Sequence, residues 1–473
     1  MQKFAMFGLC FLLQAPTPTP APSDPSPVEL ETRLAALVDE AAMQREVREL
    51  CRLGPRMGGT ESGARAAAYL RERFEKLGLE VRVVEDPPRW CHAETAWSVV
   101  AVRGEERRPL TSAWPYGFSP SSKGRARLTK ESATGVVLLS ESAPRKLEKS
   151  SAPALVLVSA NTTLDGAYPR ISHLREGPDN PCAVFGLSRP DAQWLEAALA
   201  KGEALEIEYS LEAEIAEKSP LTVIARLPGR GANAAPWTAD HLLFCAHGDS
   251  DAGGPGADDN ASGEATLLGI AGAWKKAIDA KLIEAPAREV RFAIWGSEIH
   301  STRHLLANGD KEGAVLAVIN YDQAGFGSGA DQFNIEPDDL AANVPMVRTV
   351  LAVLADHGGR EGFPKQWATN KSLGGTDSYV FSGSKLFKEN SRPSLTLFTS
   401  AWDKPDEHKR TEGMPGESWR ERDLVRVDYD NYYHSAGDTP ENTTDKEPWN
   451  MGWCARIGWL SARRSLEELA LSR

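Results

Sequence analysis

Histidine and acidic residues in the second half of the chain follow directly after short apolar runs. His247 and Asp249 come after the apolar run 242–246. A histidine in such a place can offer one ring nitrogen to a metal, while a carboxylate two residues on fixes the other nitrogen. An ordinary turn explains the same pattern equally well, so the pair alone leaves both interpretations open.

A glycine-rich acidic segment, GADDNASG at 256–263, follows before a helical pattern. Its adjacent carboxylates, Asp258 and Asp259, can hold a cation, but the same acids with Ser262 also suit a helix N-terminus. Farther on, Glu298 and Asp322 follow the apolar runs 290–295 and 314–320, and His434 lies in a polar segment. Together these segments supply two histidines and several carboxylates, which are ligands that zinc prefers.

The elements that must position these residues alternate between strands and helices. Helical spacing covers 31–52, a region after Thr60, 262–278 and 453–471, and the apolar runs predict strands at 79–84, 221–227, 242–246, 290–295, 314–320 and 395–399. This alternation predicts an α/β fold with a central mixed, largely parallel sheet flanked by helices. Because ligands of such sheets bind beyond the carboxyl ends of the strands, the candidate residues should converge there.

The region 94–218 interrupts this pattern with short apolar runs at 135–140, 154–159 and 182–187. It contains few candidate catalytic groups, and His173 stands alone within it. We interpret it as an inserted β-rich subdomain, named here the inserted module, and we expect it to supply no metal ligand.

The first 27 residues have the composition of an export signal and a linker. Lys3 precedes an apolar run at 4–13, and Ala15 offers a small residue for cleavage. The run is too short to span a bilayer, which takes about 20 residues. We therefore predict a signal peptide at 1–15, a proline-rich linker at 16–27, a folded part from 28, and no stable membrane insertion after cleavage. A chance apolar start is the alternative.

Composition narrows the functional classes. The 473 residues are 41% hydrophobic and 25% charged, as in ordinary globular proteins, and the net charge is −12. Nucleic-acid binding is disfavoured because phosphate needs a basic surface. Five of the six cysteines lie beyond the signal, too sparse for a disulfide scaffold, so bridges and buried thiols both remain open.

At this point the sequence resembles a known family, the zinc aminopeptidases with a two-metal centre. Their clan, MH, also includes glutaminyl cyclases, glutamate carboxypeptidases and the transferrin receptor. The matching motifs are GPRMGG at 54–59, AHGDS at 246–250, GADDNASG at 256–263, WGSE at 295–298, INYD at 319–322 and YHSAGDT at 433–439. The resemblance covers about 30–92 and 220–470. It implies a zinc exopeptidase (phosphorylase/hydrolase-like) fold, with a catalytic domain at 28–93 and 219–473 and an inserted protease-associated domain at 94–218.

The resemblance also implies the metal ligands. His247 and Asp322 would hold one zinc, and His434 would hold a second. Asp259 would bridge both through a cis peptide bond to Asn260.

The same resemblance assigns supporting roles. Glu298 would be the general base, and Asp249 would orient His247. Asp438 would support the loop that carries His434.

Two departures from the family pattern stand out. The family has two consecutive glutamates, base and then ligand, where this chain has Glu298 and Ile299. Isoleucine cannot bind zinc, so the second site lacks a ligand unless the neighbouring His300 replaces it or Glu298 itself binds the metal. Thr376-Asp377-Ser378 also differs from the family's usual Ser-Asp-His, which lines the substrate site.

The resulting expectation is an exported zinc metallopeptidase, an aminopeptidase with one or two zinc ions and a peptide or aminoacyl substrate. A metal-activated water would attack the peptide bond, and Glu298 would transfer the proton. Because Ile299 replaces a ligand, a non-catalytic or single-zinc relative, receptor-like or cyclase-like, is the alternative. A protein-binding role for the inserted module is compatible with either.

Overall fold

The computed structural model describes residues 26–129, 135–139, 153–159, 161–230, 237–250, 253–307, 313–327, 332–337, 341–369, 374–381, 391–399, 401–402, 427–428 and 432–471. The predicted signal peptide and nearly all of the predicted linker lie outside these residues.

Helices in the described residues surround the sheets. In chain order they are α1 Pro27–Ala35, α2 Glu40–Arg52, α3 Glu61–Lys76, α4 Arg189–Ala200, α5 Gly263–Asp279, α6 His300–Ala307, α7 Val344–His357 and α8 Trp449–Leu471. The helical pattern at 31–52 divides into α1 and α2, because Asp39 caps α2 by accepting a hydrogen bond from the Ala42 N–H at 2.9 Å. Thr60 caps α3, as its position suggests.

The strands in the described residues form two large sheets and one short pair. In chain order they are β1 Glu80–Glu85, β2 Arg89–Arg103, β3 Glu106–Pro109, β4 Trp114–Pro115, β5 Ser122–Thr129, β6 Val136–Leu139, β7 Leu155–Val158, β8 Val184–Gly186, β9 Glu206–Lys218, β10 Leu221–Leu227, β11 His241–His247, β12 Glu289–Trp295, β13 Val315–Tyr321, β14 Gln332–Pro337, β15 Gln366–Thr369, β16 Ser394–Phe398, β17 Ala401–Trp402 and β18 Val427–Asp428.

The central sheet has the order β1-β10-β12-β11-β13-β16-β14-β15. Its middle strands β12, β11, β13 and β16 run parallel, whereas β1, β10 and β14 join through antiparallel pairings. The prediction of a mixed sheet with a parallel centre is therefore confirmed. The antiparallel edges and helix α7 were not predicted.

Alternating side chains of the middle strands bury the two faces of this sheet. Phe244 on β11 stacks on Phe292 and Tyr321, with ring centroids 5.5 and 6.3 Å apart, on the face covered by α2, α3, α5 and α8. Leu243 and Cys245 pack in a separate cluster on the other face. This alternation decides which face of the sheet each strand side chain reaches.

The inserted module contains the second large sheet, of order β3-β2-β9-β5-β6-β7-β8-β4. Its long strand β2 begins at Arg89, five residues before the boundary expected at 94. The cysteines at 51, 91, 182, 245 and 454 are free thiols, so the described residues contain no disulfide. Among the same residues, no helix has the length and apolar character needed to cross a membrane.

Candidate metal centre

Two neighbouring parallel strands and the loop before α5 bring three metal-binding side chains together. His247 is the last residue of β11, and Asp322 follows the end of β13. The His247 Nε2 atom lies 3.2 Å from Asp259 Oδ1 and 3.5 Å from Asp322 Oδ1. One ligand atom from each residue lies within 4.8 Å of the others. We call this group the first metal position.

The loop before α5 presents Asp259 through a peptide bond to Asn260 that is cis. The Asp438 carboxylate accepts hydrogen bonds from the N–H groups of Asp258 and Asp259 at 2.8 and 2.9 Å. Asn260 donates from its side chain to the Tyr321 carbonyl at 2.9 Å. The side chain of Asp438 thus holds the Asp259 loop, whereas its expected role was to support the loop of His434.

Asp259 also reaches His434, which begins the second metal position. The His434 Nε2 atom lies 3.1 Å from Asp259 Oδ2, so the two carboxylate oxygens face two different histidines. The ring of His434 is 31% exposed, far more than the 5% of His247.

The inserted module holds the loop that carries His434. The Ile171 N–H donates to the His434 carbonyl at 2.7 Å, and Arg170 donates to the Tyr433 carbonyl at 2.9 Å. Ala436 N–H donates to the Pro169 carbonyl at 3.2 Å. No residue of the module belongs to the group at the first metal position, yet the module fixes the backbone of His434.

Ile299 follows Glu298 in the turn between β12 and α6. Its φ of +60° is an outlier for a β-branched residue. The Asp377 Oδ1 atom accepts the Ile299 N–H at 2.8 Å and also the Thr302 hydroxyl, which fixes this turn. Asp377 and Ser378 are fully buried and Thr376 nearly so, so this segment supports the turn and the sheet. That this segment lines the substrate site stays a prediction.

His300 does not join the metal centre. Its Nε2 atom is hydrogen-bonded to the Pro87 carbonyl at 2.9 Å, outside the cluster. Among the described residues, no three-ligand group within 4.8 Å includes it. Helix α6 begins at His300, and the turn of Ile299 directs this residue towards the segment before β2.

Asp249 contacts both His247 and the turn of Glu298. The His247 Nδ1 atom lies 2.8 Å from the main-chain carbonyl of Asp249 and 3.4 Å from its carboxylate. The carboxylate also accepts the Glu298 N–H at 2.9 Å. Asp249 therefore contacts His247 through its backbone and its carboxylate, and it holds the turn of Glu298 through its side chain.

Arg56 lies in the GPRMGG motif, and the structure gives it a definite role. Its buried guanidinium pairs with Glu264 at 3.1 Å and donates to the Gly256 carbonyl at 2.7 Å, just before the acidic loop. Burial raises the pKa of Glu264 to about 7, against the opposing charge of Arg56. In the sequence, the signal for this role was a single arginine among apolar and glycine residues.

The centre carries an excess of negative charge. Burial raises the pKa of Glu298 well above its usual range, and Asp322 and Asp377 add to this effect while His247 opposes it. Burial also acts to raise the pKa of Asp259, but the hydrogen bonds from His247 and His434 outweigh it and hold that pKa well below its ordinary value. A divalent cation would relieve the repulsion among these carboxylates.

Comparison with known proteins covers the segment that carries both metal positions. The model of peptidase family M28 matches residues 222–457, which contain all of the residues of both metal positions. The chain belongs to peptidase family M28. The inserted module lies outside the match.

Two curated fungal proteins resemble this family M28 chain along most of its length. It is 27% identical over 390 residues to a probable leucine aminopeptidase 2 of Arthroderma benhamiae, covering 77% of this chain and 70% of that protein. A probable leucine aminopeptidase 2 of Trichophyton verrucosum is 26% identical with the same coverage.

Solved structures share the fold at lower identity. A peptidase M28 precursor from Shewanella amazonensis superposes with a TM-score of 0.62 at 16% identity, covering 93% of this chain and 96% of that one. A zinc aminopeptidase from Bacillus subtilis gives a TM-score of 0.57 at 15% identity, covering 90% and 95%.

The residues of this M28 centre fit a bound metal. One buried imidazole nitrogen and two carboxylates converge at the first metal position. Three nitrogen and oxygen donors with an open fourth direction are typical of catalytic zinc sites.

Proposed function

We propose that this chain is a zinc aminopeptidase that removes residues from the free N-terminus of peptides. The observation that carries the proposal is the convergence of His247, Asp259 and Asp322 at the carboxyl ends of parallel strands, beside Glu298. Membership in peptidase family M28 and the aminopeptidase names of its relatives support it.

Bound zinc would supply an acidified water and a positive charge beside the scissile carbonyl. Glu298 would accept the proton of that water and later donate it to the leaving amine. Burial of the Glu298 carboxyl group raises its pKa above the ordinary value, which favours the protonated form that this donation needs. Asp249 would hold the Glu298 turn in place through the Glu298 N–H.

The two metal positions differ in their ligand sets. The first has three protein ligands, as catalytic zinc sites usually do. The second has Asp259 and His434, with Ile299 in the place of the third. We propose one tightly bound zinc at the first position and a weak or empty second position.

A single-zinc or non-catalytic relative is the alternative that Ile299 favours. Purified protein should be assayed with leucine p-nitroanilide, a free tripeptide, its N-acetylated form and a peptide beginning with glutamine. An aminopeptidase hydrolyses the first two, spares the acetylated peptide and loses activity after dialysis against a chelator. Ring closure of glutamine without hydrolysis would indicate a cyclase, and no turnover with zinc bound would indicate a non-catalytic relative.

We also propose that the protein is exported and that the inserted module is a protease-associated domain. The basic and apolar start of the chain supports export, and the second sheet between β1 and β10 supports an independent module. N-terminal sequencing of the mature protein should begin close to residue 16. A mature protein that retains Met1 in the cytoplasm would contradict export.

A further inference from the structure

A cavity of about 250 Å³ lies between the inserted module and the catalytic domain. Asp249, Ser250 and Glu298 line it from the catalytic side, and Arg89, His92 and His173 line it from the opposite side. One wall of this cavity is therefore the proposed general base itself.

The two histidines come from distant segments and meet around Gly117. The rings of His92 and His173 lie with centroids 5.1 Å apart. A β-carbon at position 117 would collide with both rings, so the close approach requires glycine there. The Gly117 N–H donates to the Ser172 carbonyl at 2.9 Å, which fixes the arrangement.

His92 has a ring nitrogen without a partner. Its side chain is 1% exposed, and Nδ1 lies 2.8 Å from the Glu94 carboxylate. Because a carboxylate accepts, Nδ1 carries a proton, and in the neutral imidazole Nε2 then keeps a lone pair. Among the described residues nothing bonds to this Nε2 atom, and the fully buried Ser250 hydroxyl also lacks a partner.

Buried polar atoms are seldom left without partners, and such exceptions point to a missing ligand or water. A cavity of this size has room for several waters or for one amino-acid residue. Its polar wall therefore suits a ligand that donates a hydrogen bond.

The proton transfer in the proposed reaction determines where the substrate must lie. When the C–N bond breaks, the proton on Glu298 passes to the leaving nitrogen, so that nitrogen must lie within hydrogen-bonding reach of Glu298. The residue that follows the scissile bond then continues from Glu298 into the adjoining space.

We propose that this cavity binds the residue after the scissile bond and that His92 selects a hydrogen-bond donor on its side chain. Glu94 is a positioning residue that holds the His92 ring in the accepting form. This inference rests on the proposed aminopeptidase function.

The test compares two nearly isosteric substrates, Leu-Thr-Gly and Leu-Val-Gly, with leucine p-nitroanilide assayed alongside. The wild-type enzyme should show kcat/KM about tenfold higher for the threonine peptide, the value of one good hydrogen bond. Equal values for the two peptides would overturn the inference while the anilide reaction still upheld aminopeptidase activity. Failure to hydrolyse all three substrates would instead overturn the proposed function.

Variants of His92 test whether this residue causes the preference for the threonine peptide. His92→Phe should reduce the threonine-to-valine ratio to about one, and His92→Gln, which keeps an acceptor oxygen, should retain part of it. Ser98→Ala is the control, because Ser98 lies on the same strand but pairs with Ser210 at an exposed position. An unchanged ratio in His92→Phe would exclude His92, and if that variant fails to fold, the wild-type comparison still decides.

Discussion

The two metal positions share Asp259, yet they are built in different ways. At the first, His247 and Asp322 are placed by adjacent parallel strands, and the His247 ring is nearly buried. At the second, His434 lies on a loop with a φ of +48° and a partly exposed ring. Hydrogen bonds from the inserted module hold that loop.

This difference shows how the two positions depend on the rest of the chain. Strand ends within one sheet are fixed by the core, so His247 and Asp322 of the first metal position need no outside support, while the loop of its third residue, Asp259, is held by Asp438. The second metal position depends on a loop, on the module and on a third ligand that Ile299 does not provide. We therefore expect the first position to tolerate changes elsewhere and the second to respond to them.

The largest effect should come from the residue that serves the chemistry of the first position. Glu298→Gln should reduce kcat by about 10²–10⁴-fold, because the amide cannot transfer the proton. Zinc content, measured by elemental analysis, should stay unchanged. Asp322→Asn is the comparison, since it should lose both activity and zinc. Loss of a zinc ion in Glu298→Gln would make Glu298 a ligand and contradict its assignment as base.

The second-largest effect concerns the missing third ligand of the second metal position. Wild-type protein should retain close to one zinc per chain after brief dialysis against a mild chelator. Ile299→Glu restores the carboxylate that the family carries and should raise this value towards two, since zinc then has three protein ligands at the second position.

Ile299→Gln provides the matched control, because it has the shape of glutamate without the charge. Ile299→Gln should therefore retain close to one zinc per chain. Two zinc ions in the wild-type protein would show that the second position is already complete.

A smaller effect should follow from removing a hydrogen bond between the inserted module and the loop that carries His434. Arg170→Ala removes a charge-assisted hydrogen bond to the Tyr433 carbonyl. In the Ile299→Glu background it should weaken the second zinc about tenfold, as changes behind metal ligands typically do. Titration with a competing chelator would measure the affinity.

Arg189→Ala is the control for this comparison, because Arg189 bonds within the module to Thr162 and main-chain carbonyls. Equal weakening by both variants would mean that the module matters only through its own stability. No weakening by Arg170→Ala would show that the His434 loop is held without it.

The sequence was sufficient to predict a strand and the candidate ligand that directly follows it. Apolar runs located β10, β11, β12, β13 and β16, and the residues after them gave the candidates that meet at the first position. Contacts between distant segments were not predictable. The hold of Arg170 on the His434 loop and the meeting of His92 with His173 bring together residues that no local pattern connects.

The smallest effect is expected at His300, because it lies close to the second metal position in sequence but not in the structure. His300 lies next to Ile299 in the chain, but its Nε2 atom is bonded to the Pro87 carbonyl outside the cluster. His300→Ala should therefore leave zinc content unchanged in the wild-type and Ile299→Glu backgrounds, and alter kcat by less than about twofold, as changes away from the site usually do. A drop of one zinc in either background would make His300 the substitute ligand. It would also mean that the second position is completed by a rearrangement of the turn that Asp377 holds.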